Sequence, residues 1–353
     1  MNDLIIKEVK NNFIDTNIIN ENDVVLIAIS GGRDSMCLLD VMATLSEMYG
    51  FDIVLCHINH NIRNDESKRD EDFVVNYAKE LSLYCITKDV YVIEYSKNKG
   101  FSLEEAARVL RYQALEDIRN ELIKNDNYAL KKNYYIATAH HKNDQAETII
   151  HNIIRGSGLY GLKGMTKING HFIRPLLDVD RKDIEQYIKD LSLPYVDDST
   201  NADITFTRNF IRNNIITDFL KINDKSIEHI ADLSNDIIDL YKYIDTVVSS
   251  ELDNITISST NNSYIIDTVK YKSINKFIQI EIIKLIFDRL KINKKDISRV
   301  HFNSIIDLII GNNNRHLDLP YNLTADKNNN QVTFTINDIN ISMNKRKKKQ
   351  YIY

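Results

Sequence analysis

The sequence predicts an α/β protein, with a doubly wound, mostly parallel sheet over residues 1–223 and a mainly helical region with short terminal strands over residues 224–353. Three observations carry this. Over the first half, short apolar runs alternate with amphipathic stretches, the mark of repeated βαβ units. One such run, Val24-Val25-Leu26-Ile27-Ala28-Ile29, enters the turn Ser30-Gly31-Gly32-Arg33-Asp34-Ser35 and then a helical pattern. Between Gly170 and Gly311 there is no glycine, and long Ile/Leu-rich patterns fill the interval.

Taken in order, strands are expected at Val24–Ile29, Asp52–His57, Tyr84–Val92 and Tyr134–Ala139, where β-branched and aromatic residues cluster. A helix is expected after each: Ser35–Tyr49, Glu66–Leu81, Ser102–Ile123 and Asp144–Ile154. The third opens with Ser102 as N-cap and Glu105 three residues on, a capping box. A further helix, Arg181–Leu191, follows Pro175. The composition shifts at Asn223–Ser226, which marks the domain boundary. Beyond it helices are expected at Ser226–Leu252, Ser273–Leu290 and Asp296–Ile310, with a hairpin at Asn261-Asn262. Leu317–Ile341 reads as short strands between Asn-rich turns, and the basic run Lys345–Lys349 as a solvated tail.

At 27% charged and 43% hydrophobic residues the chain is globular, which excludes a disordered polymer. No apolar run approaches the roughly 18–20 residues a membrane span needs. Met1–Asn12 mixes charge with Leu and Ile and lacks a secretory pattern, so a cytoplasmic protein is expected. Cys37, Cys56 and Cys85 stand far apart without a C-x-x-C, which predicts reduced, buried thiols and neither a disulfide framework nor a cluster site. A net charge of −5 argues against a surface uniformly built for nucleic acid and leaves room for a local basic patch.

Glycine is scarce, 10 in 353 against a usual ~7%, so its clusters mark places that need it. At Gly31-Gly32 a side-chain-free turn lets a ligand approach the backbone, while Ser30, Ser35 and the following helix N-terminus offer donors to phosphate. An ordinary βα turn would look the same locally. It is no Walker loop, which needs G-x-x-x-x-G-K-[ST]. Asp34 within a phosphate cradle would repel unless a cation intervened, so it is the candidate Mg²⁺ ligand. Asp144 and Glu147 share a helix face at i and i+3 and could hold Mg²⁺ or an ammonium group; two acids at a helix start are also favoured by the dipole alone. Arg108 and Arg111 share a face too, and Arg108 could pair with Glu104 at i−4. His57, His60, His140 and His141 are expected to line the cleft at the strand ends, where ligands bind in open α/β sheets. A zinc site is disfavoured, since neither pair forms a complete ligand set. The Gly-rich Arg155–Gly164 segment is expected to be a shaped, non-helical loop near that cleft.

The string S-G-G-x-D-S resembles the PP-loop of the N-type ATP pyrophosphatases. Six further blocks narrow the resemblance: His57-Ile-Asn-His60-Asn-Ile-Arg63, Glu105 to Tyr112, Ala137 to Thr148, Arg155 to Leu162, Arg174 to Leu177, and Asp198 to Asn201 with Thr207 to Arg212. In that order they resemble the tRNA(Ile)-lysidine synthases, over about residues 20–220 and more weakly at Leu317-Asp-Leu-Pro320. Asn143 departs from the pattern, where many relatives carry a second Asp. The resemblance implies an adenine nucleotide alpha hydrolase-like fold and ATP-dependent ligation of L-lysine to C2 of the wobble cytidine in the isoleucine tRNA with a CAU anticodon. It also implies an adenylated intermediate, release of AMP and pyrophosphate, and a homodimer. The residues implied are Ser30, Gly31, Gly32, Arg33, Asp34, Ser35 and His57 for ATP, Asp34 for Mg²⁺ with Asp144 or Glu147 as further ligands, and Asp34, Arg111, Asp144, Glu147 and Arg212 for catalysis. Longer relatives carry an extra C-terminal domain that this chain is expected to lack. Among rival readings, a tRNA thiolase would need a cysteine relay or cluster, an N-terminal-nucleophile amidotransferase an earlier cysteine than Cys37, and an ATP sensor would not need Asp34, Arg111, Asp144 and Glu147 together.

Overall fold

The computed structural model describes residues 2–62, 64–125, 130–196, 207–292, 297–311 and 314–337. The expectations on Arg63, Asp198–Asn201 and Lys345–Lys349 lie outside the described residues. The chain forms two compact units, Met1–Ile238 and Asp239–Tyr353. The boundary expected after Asn223 precedes a helix, Ser226–Ile255, within which the units divide.

The first unit contains helices α1 (Asn2–Val9), α2 (Arg33–Tyr49), α3 (Asn64–Glu80), α4 (Val92–Lys99), α5 (Leu103–Ile123), α6 (Lys142–Ile154), α7 (Gly158–Gly161), α8 (Arg181–Asp190), α9 (Thr207–Phe210) and α10 (Thr217–Ile222), and the start of α11 (Ser226–Ile255). Its strands are β1 (Val24–Ala28), β2 (Asp52–Asn59), β3 (Tyr84–Asp89), β4 (Tyr134–Ala137), β5 (Ile168–Asn169) and β6 (Phe172–Ile173). They form one sheet in the order β3-β2-β1-β4-β6-β5, parallel except for the β5–β6 hairpin. β1 is central because it is apolar on both faces. Val25 and Ile27 pack with Leu38, Met42 and Tyr187 on one side, while Val24 and Leu26 pack with Leu115, Ile118 and Leu122 on the other. The chain leaves β1 for β2 on one side and returns as β4 on the other, so the crevice at the carboxyl ends of β1 and β4 is a topological switch point.

The expected strand Tyr84–Val92 ends at Asp89, and Val92 instead begins α4, which buries Val92 against the helix that follows. Helix α1 was not among the expected elements, although Ile5, Val9 and Phe13 enter the main core. Ser102 caps α5 by accepting from the Glu105 amide at 3.1 Å. The segment expected to be non-helical, Arg155–Gly164, contains the short helix α7. Buried Gln145 reaches it, donating from Nε2 to the carbonyls of Lys163 (3.3 Å) and Met165 (2.8 Å) and to Ser234 Oγ (2.7 Å). That contact leaves no room for a side chain at Gly164.

The second unit contains the rest of α11, α12 (Thr268–Lys272), α13 (Lys276–Arg289) and α14 (Arg299–Ile310), with strands β7 (Thr256–Ser259), β8 (Ser263–Asp267), β9 (Arg315–Asp318), β10 (Leu323–Asn328) and β11 (Gln331–Ile336). The hairpin expected at Asn261-Asn262 joins β7 to β8. These strands form an antiparallel sheet in the order β7-β8-β11-β10-β9, its core filled by Phe287, Phe302 and Phe334. Among the described residues no helix is long and apolar enough to cross a membrane.

Candidate active site

The site grows from the turn between β1 and α2. The Ser30 amide donates to Ser35 Oγ (3.3 Å), the Gly32 amide to Ser30 Oγ (3.3 Å), and the Ser35 hydroxyl to the Gly32 carbonyl (2.8 Å). The loop therefore holds its shape through its own serines. Gly31 sits at φ +84°, and a Cβ there would lie 2.9 Å from Val196 Cγ2 and 3.2 Å from Phe73. Gly31→Ala is expected to cost about 1–3 kcal/mol in backbone strain alone. Thermal denaturation together with ATP titration checks it; a variant equal to the parent in both would remove the requirement for glycine.

Around the loop opens a cleft of about 340 Å³ at the carboxyl ends of β1 and β4. Ser30, Gly32, Arg33, Asp34 and Ser35 line it, with Arg111 from α5 and Arg212 from the widened turn Ile211–Ile216. Gly31 does not line the cleft; it packs beneath it against Val196. Arg33 turns toward α8, with Nη1 2.9 Å from Glu185 and its guanidinium 4.9 Å from the Tyr195 ring. His57 is buried, its Nδ1 3.0 Å from the Ile29 carbonyl, and lines an adjoining cavity with Asp70, Glu104 and Arg208. Thr138, Arg181 and Val196 also line the main cleft and were not singled out in the sequence. Nothing in the local pattern of Arg181 or Val196 marks them as cleft residues, while Thr138 falls within the block Ala137 to Thr148. The Gly-rich segment after α6 is absent from both linings among the described residues.

Asp144 and Glu147 do meet in one place, but with company. Arg208 places Nε 2.9 Å from Glu147 Oε2 and Nη2 3.3 Å from Asp144 Oδ1. Arg212 places Nε 2.5 Å from Glu147 Oε1, and its Nη2 lies 3.0 Å from Glu147 Oε2 and 3.2 Å from Asp144 Oδ1. Asp144 Oδ2 also accepts from the His141 amide at 3.0 Å. The Glu147 side chain is 1% exposed, so its charge is compensated almost wholly by the two arginines. Burial alone would raise the Asp144 carboxyl, but His141 and Arg208 outweigh it and hold it well below the usual carboxylate range. His141 links this cluster to the loop, its Nε2 3.5 Å from both Asp34 and Asp144. Burial works against its charge, and the two acids overcome that and raise its pKa. By contrast burial lowers His60 to about 4 and His140 to about 3, which leaves both neutral near pH 7. Asn143, the departure noted above, accepts from the Arg181 amide at 3.1 Å and so ties α6 to α8.

Asp34, with 42% of its side chain exposed in the cleft, is the acid that can meet a divalent cation. Asp144 and Glu147 already have arginines on their oxygens. One carboxylate completed by phosphate oxygens and water suits Mg²⁺, so the residues present fit the metal.

Residues 2–219 match the PP-loop domain family. The chain is 44% identical to the tRNA(Ile)-lysidine synthase of Thermosipho africanus over 59% of its own length and 46% of that protein's. With the enzyme of that name from Caldanaerobacter subterraneus it shares 31% identity over 88% of itself and 65% of the relative. With that of Petrotoga mobilis it shares 36% over 77% of itself and 81% of the relative. The chain thus spans about half to two thirds of the length of the first two. Among solved structures, a U34-tRNA thiolase from Methanococcus maripaludis superposes with a TM-score of 0.52 at 17% identity, covering 67% of this chain and 80% of that one, a likeness of fold alone. With Asp34, Arg111, Asp144, Glu147 and Arg212 at the carboxyl ends of its sheet, this chain belongs to the PP-loop domain family and, within it, to the tRNA(Ile)-lysidine synthases.

Proposed function

We propose that the chain ligates L-lysine to C2 of the wobble cytidine in the isoleucine tRNA bearing a CAU anticodon, at the expense of ATP cleaved to AMP and pyrophosphate. The observation that carries this is the convergence of the Ser30–Ser35 loop, Asp34, Arg111 and Arg212 on one cleft in a member of this family.

In this reading the loop amides and Ser35 hold the pyrophosphate portion of ATP, at the positive end of α2. Mg²⁺ bound through Asp34 would neutralise phosphate charge. Arg111 and Arg212 point their guanidinium groups at the charge that develops when cytidine O2 attacks the α-phosphate and pyrophosphate departs. Lysine gives up its ammonium proton to water, its neutral ε-amine then bonds to C2 as the C2–O2 bond breaks, and AMP leaves with the former O2. Asp144 and Glu147 supply the anionic surroundings that would receive the lysine ammonium, in exchange for one of the arginines they hold. The wobble base must leave its stack to enter the cleft, as loop recognition commonly requires. Sulfur transfer fits less well: Cys37 and Cys56 are buried and burial pushes both thiols up, while Cys85 lies at about 11.

Incubation with CAU-anticodon tRNA, ATP, Mg²⁺ and lysine is expected to yield AMP, pyrophosphate and a lysine-bearing cytidine detected by mass. ADP and orthophosphate without pyrophosphate would overturn the assignment.

A further inference from the structure

Arg181 lines the main cleft, yet none of the roles above uses it. It is the first residue of α8, where the helix dipole disfavours a cation. Its partner four residues on is Glu185, and a base before an acid is the less favourable order for such a helical pair. Both side chains are more than two fifths exposed, where an ion pair contributes little. Local helix energetics therefore do not account for an arginine at this position.

The fold fixes where Arg181 stands. Its amide donates to Asn143 Oδ1 of α6 (3.1 Å), the Asp180 carboxylate caps α8 by accepting from the Lys182 amide (2.9 Å), and the Tyr187 hydroxyl donates to Asp40 of α2 (2.6 Å). Beyond α8 the Val196 amide donates to the Gly31 carbonyl at 3.0 Å, so the chain returns from this helix to the nucleotide loop itself. Arg181 Nε lies 3.1 Å and Arg33 Nη1 2.9 Å from the same atom, Glu185 Oε1. The two guanidinium groups are thus neighbours, with one carboxylate between two cations. Of the other acids at the start of α8, Asp180 serves the cap and Asp183 lines a separate cavity with Leu4 and Glu8. Among the described residues the cleft lining holds Arg33, Arg111, Arg181 and Arg212 against the single carboxylate of Asp34, and Arg212 is matched by Asp144 and Glu147. Arg181 places Nε on Glu185, and its two Nη groups carry no hydrogen bond among the described residues.

We infer that Arg181 is a further binding residue for the pyrophosphate portion of ATP, reaching it from α8 beside Arg33. The inference rests on the proposed function and deepens it by adding a side chain from outside the loop to the groups that hold the leaving pyrophosphate. A guanidinium suits the task because it meets phosphate oxygens with paired donors. The Glu185 contact already restricts the side chain, so less rotamer freedom is lost when the phosphates arrive.

The test is binding of ATP, pyrophosphate and AMP, each with Mg²⁺, to the parent protein and to R181Q, with melting followed in parallel. The Asn143 contact is made by the backbone amide and Glu185 keeps Arg33, so R181Q should melt like the parent. It is expected to bind ATP and pyrophosphate about tenfold more weakly, the size of one charge-assisted hydrogen bond, and to bind AMP as the parent does. Parental affinity for ATP would overturn the inference and leave the proposed function standing. A loss shared equally by AMP would make Arg181 a structural residue of α8 or a contact of the nucleoside end, and would overturn it as well. A parent protein that binds neither ATP nor pyrophosphate would instead overturn the reading on which the inference rests.

Discussion

Glu147→Gln is expected to lower stability by about 3–5 kcal/mol, because it removes the shared anion of a buried cluster and leaves two guanidinium groups on Asp144 alone. The arginine side chains are 27% and 24% exposed and Glu147 only 1%, so water can replace little of what is lost. For a chain of this kind the melting temperature should fall by roughly 2–4 °C for each kcal/mol. The same variant separates two tasks of the cluster when pyrophosphate release and lysine incorporation are measured apart. If the cluster receives the lysine ammonium, lysine use should weaken by on the order of 2–5 kcal/mol beyond any effect on ATP cleavage. If it serves chiefly to aim Arg212, pyrophosphate release should fall first. A variant that melts like the parent and retains both steps would reduce Asp144 and Glu147 to acids at a helix start.

Asp34→Asn is expected to reduce turnover by about 100-fold or more, the equivalent of several kcal/mol of charge stabilisation, while the fold persists. The contrast with Glu147 follows from their surroundings. Asp34 is 42% exposed and 3.5 Å from His141 Nε2, so water reaches the position and its loss leaves little uncompensated. Circular dichroism and melting should match the parent, and excess Mg²⁺ should not restore activity. Unchanged turnover at saturating Mg²⁺ would assign Asp34 to the first turn of α2 and nothing more.

These two residues also show what could be read in advance. The position of Asp34 was legible because it is set locally: a strand, two glycines and a helix start place it at the cleft whatever the rest of the chain does. The same holds for the βαβ order and for β1, whose unbroken apolar run reports burial on both faces. Short or mixed elements were less legible. The first residue of α4, Val92, was read as the end of a strand because Tyr91 and Val92 favour strands, and packing of Val92 against α5 overrides that preference. The glycines after α6 were read as a non-helical loop, whereas the short helix α7 forms within them.

By itself, then, the sequence determined the α/β class, the phosphate-type turn at Ser30–Ser35 and the presence of acids and arginines in helical register. Only the tertiary structure decided that Arg208 and Arg212 close on Asp144 and Glu147, across 61 to 68 residues of chain. Periodicity records which face of an element turns inward, since that face must be apolar. Which charges meet across such a separation is decided by the packing of α6 against the turn that carries Arg212, where Ala146 and Ile150 bury against Ile211 and Ile216. Burial there makes an unpaired charge costly, and that cost joins the four side chains into one cluster.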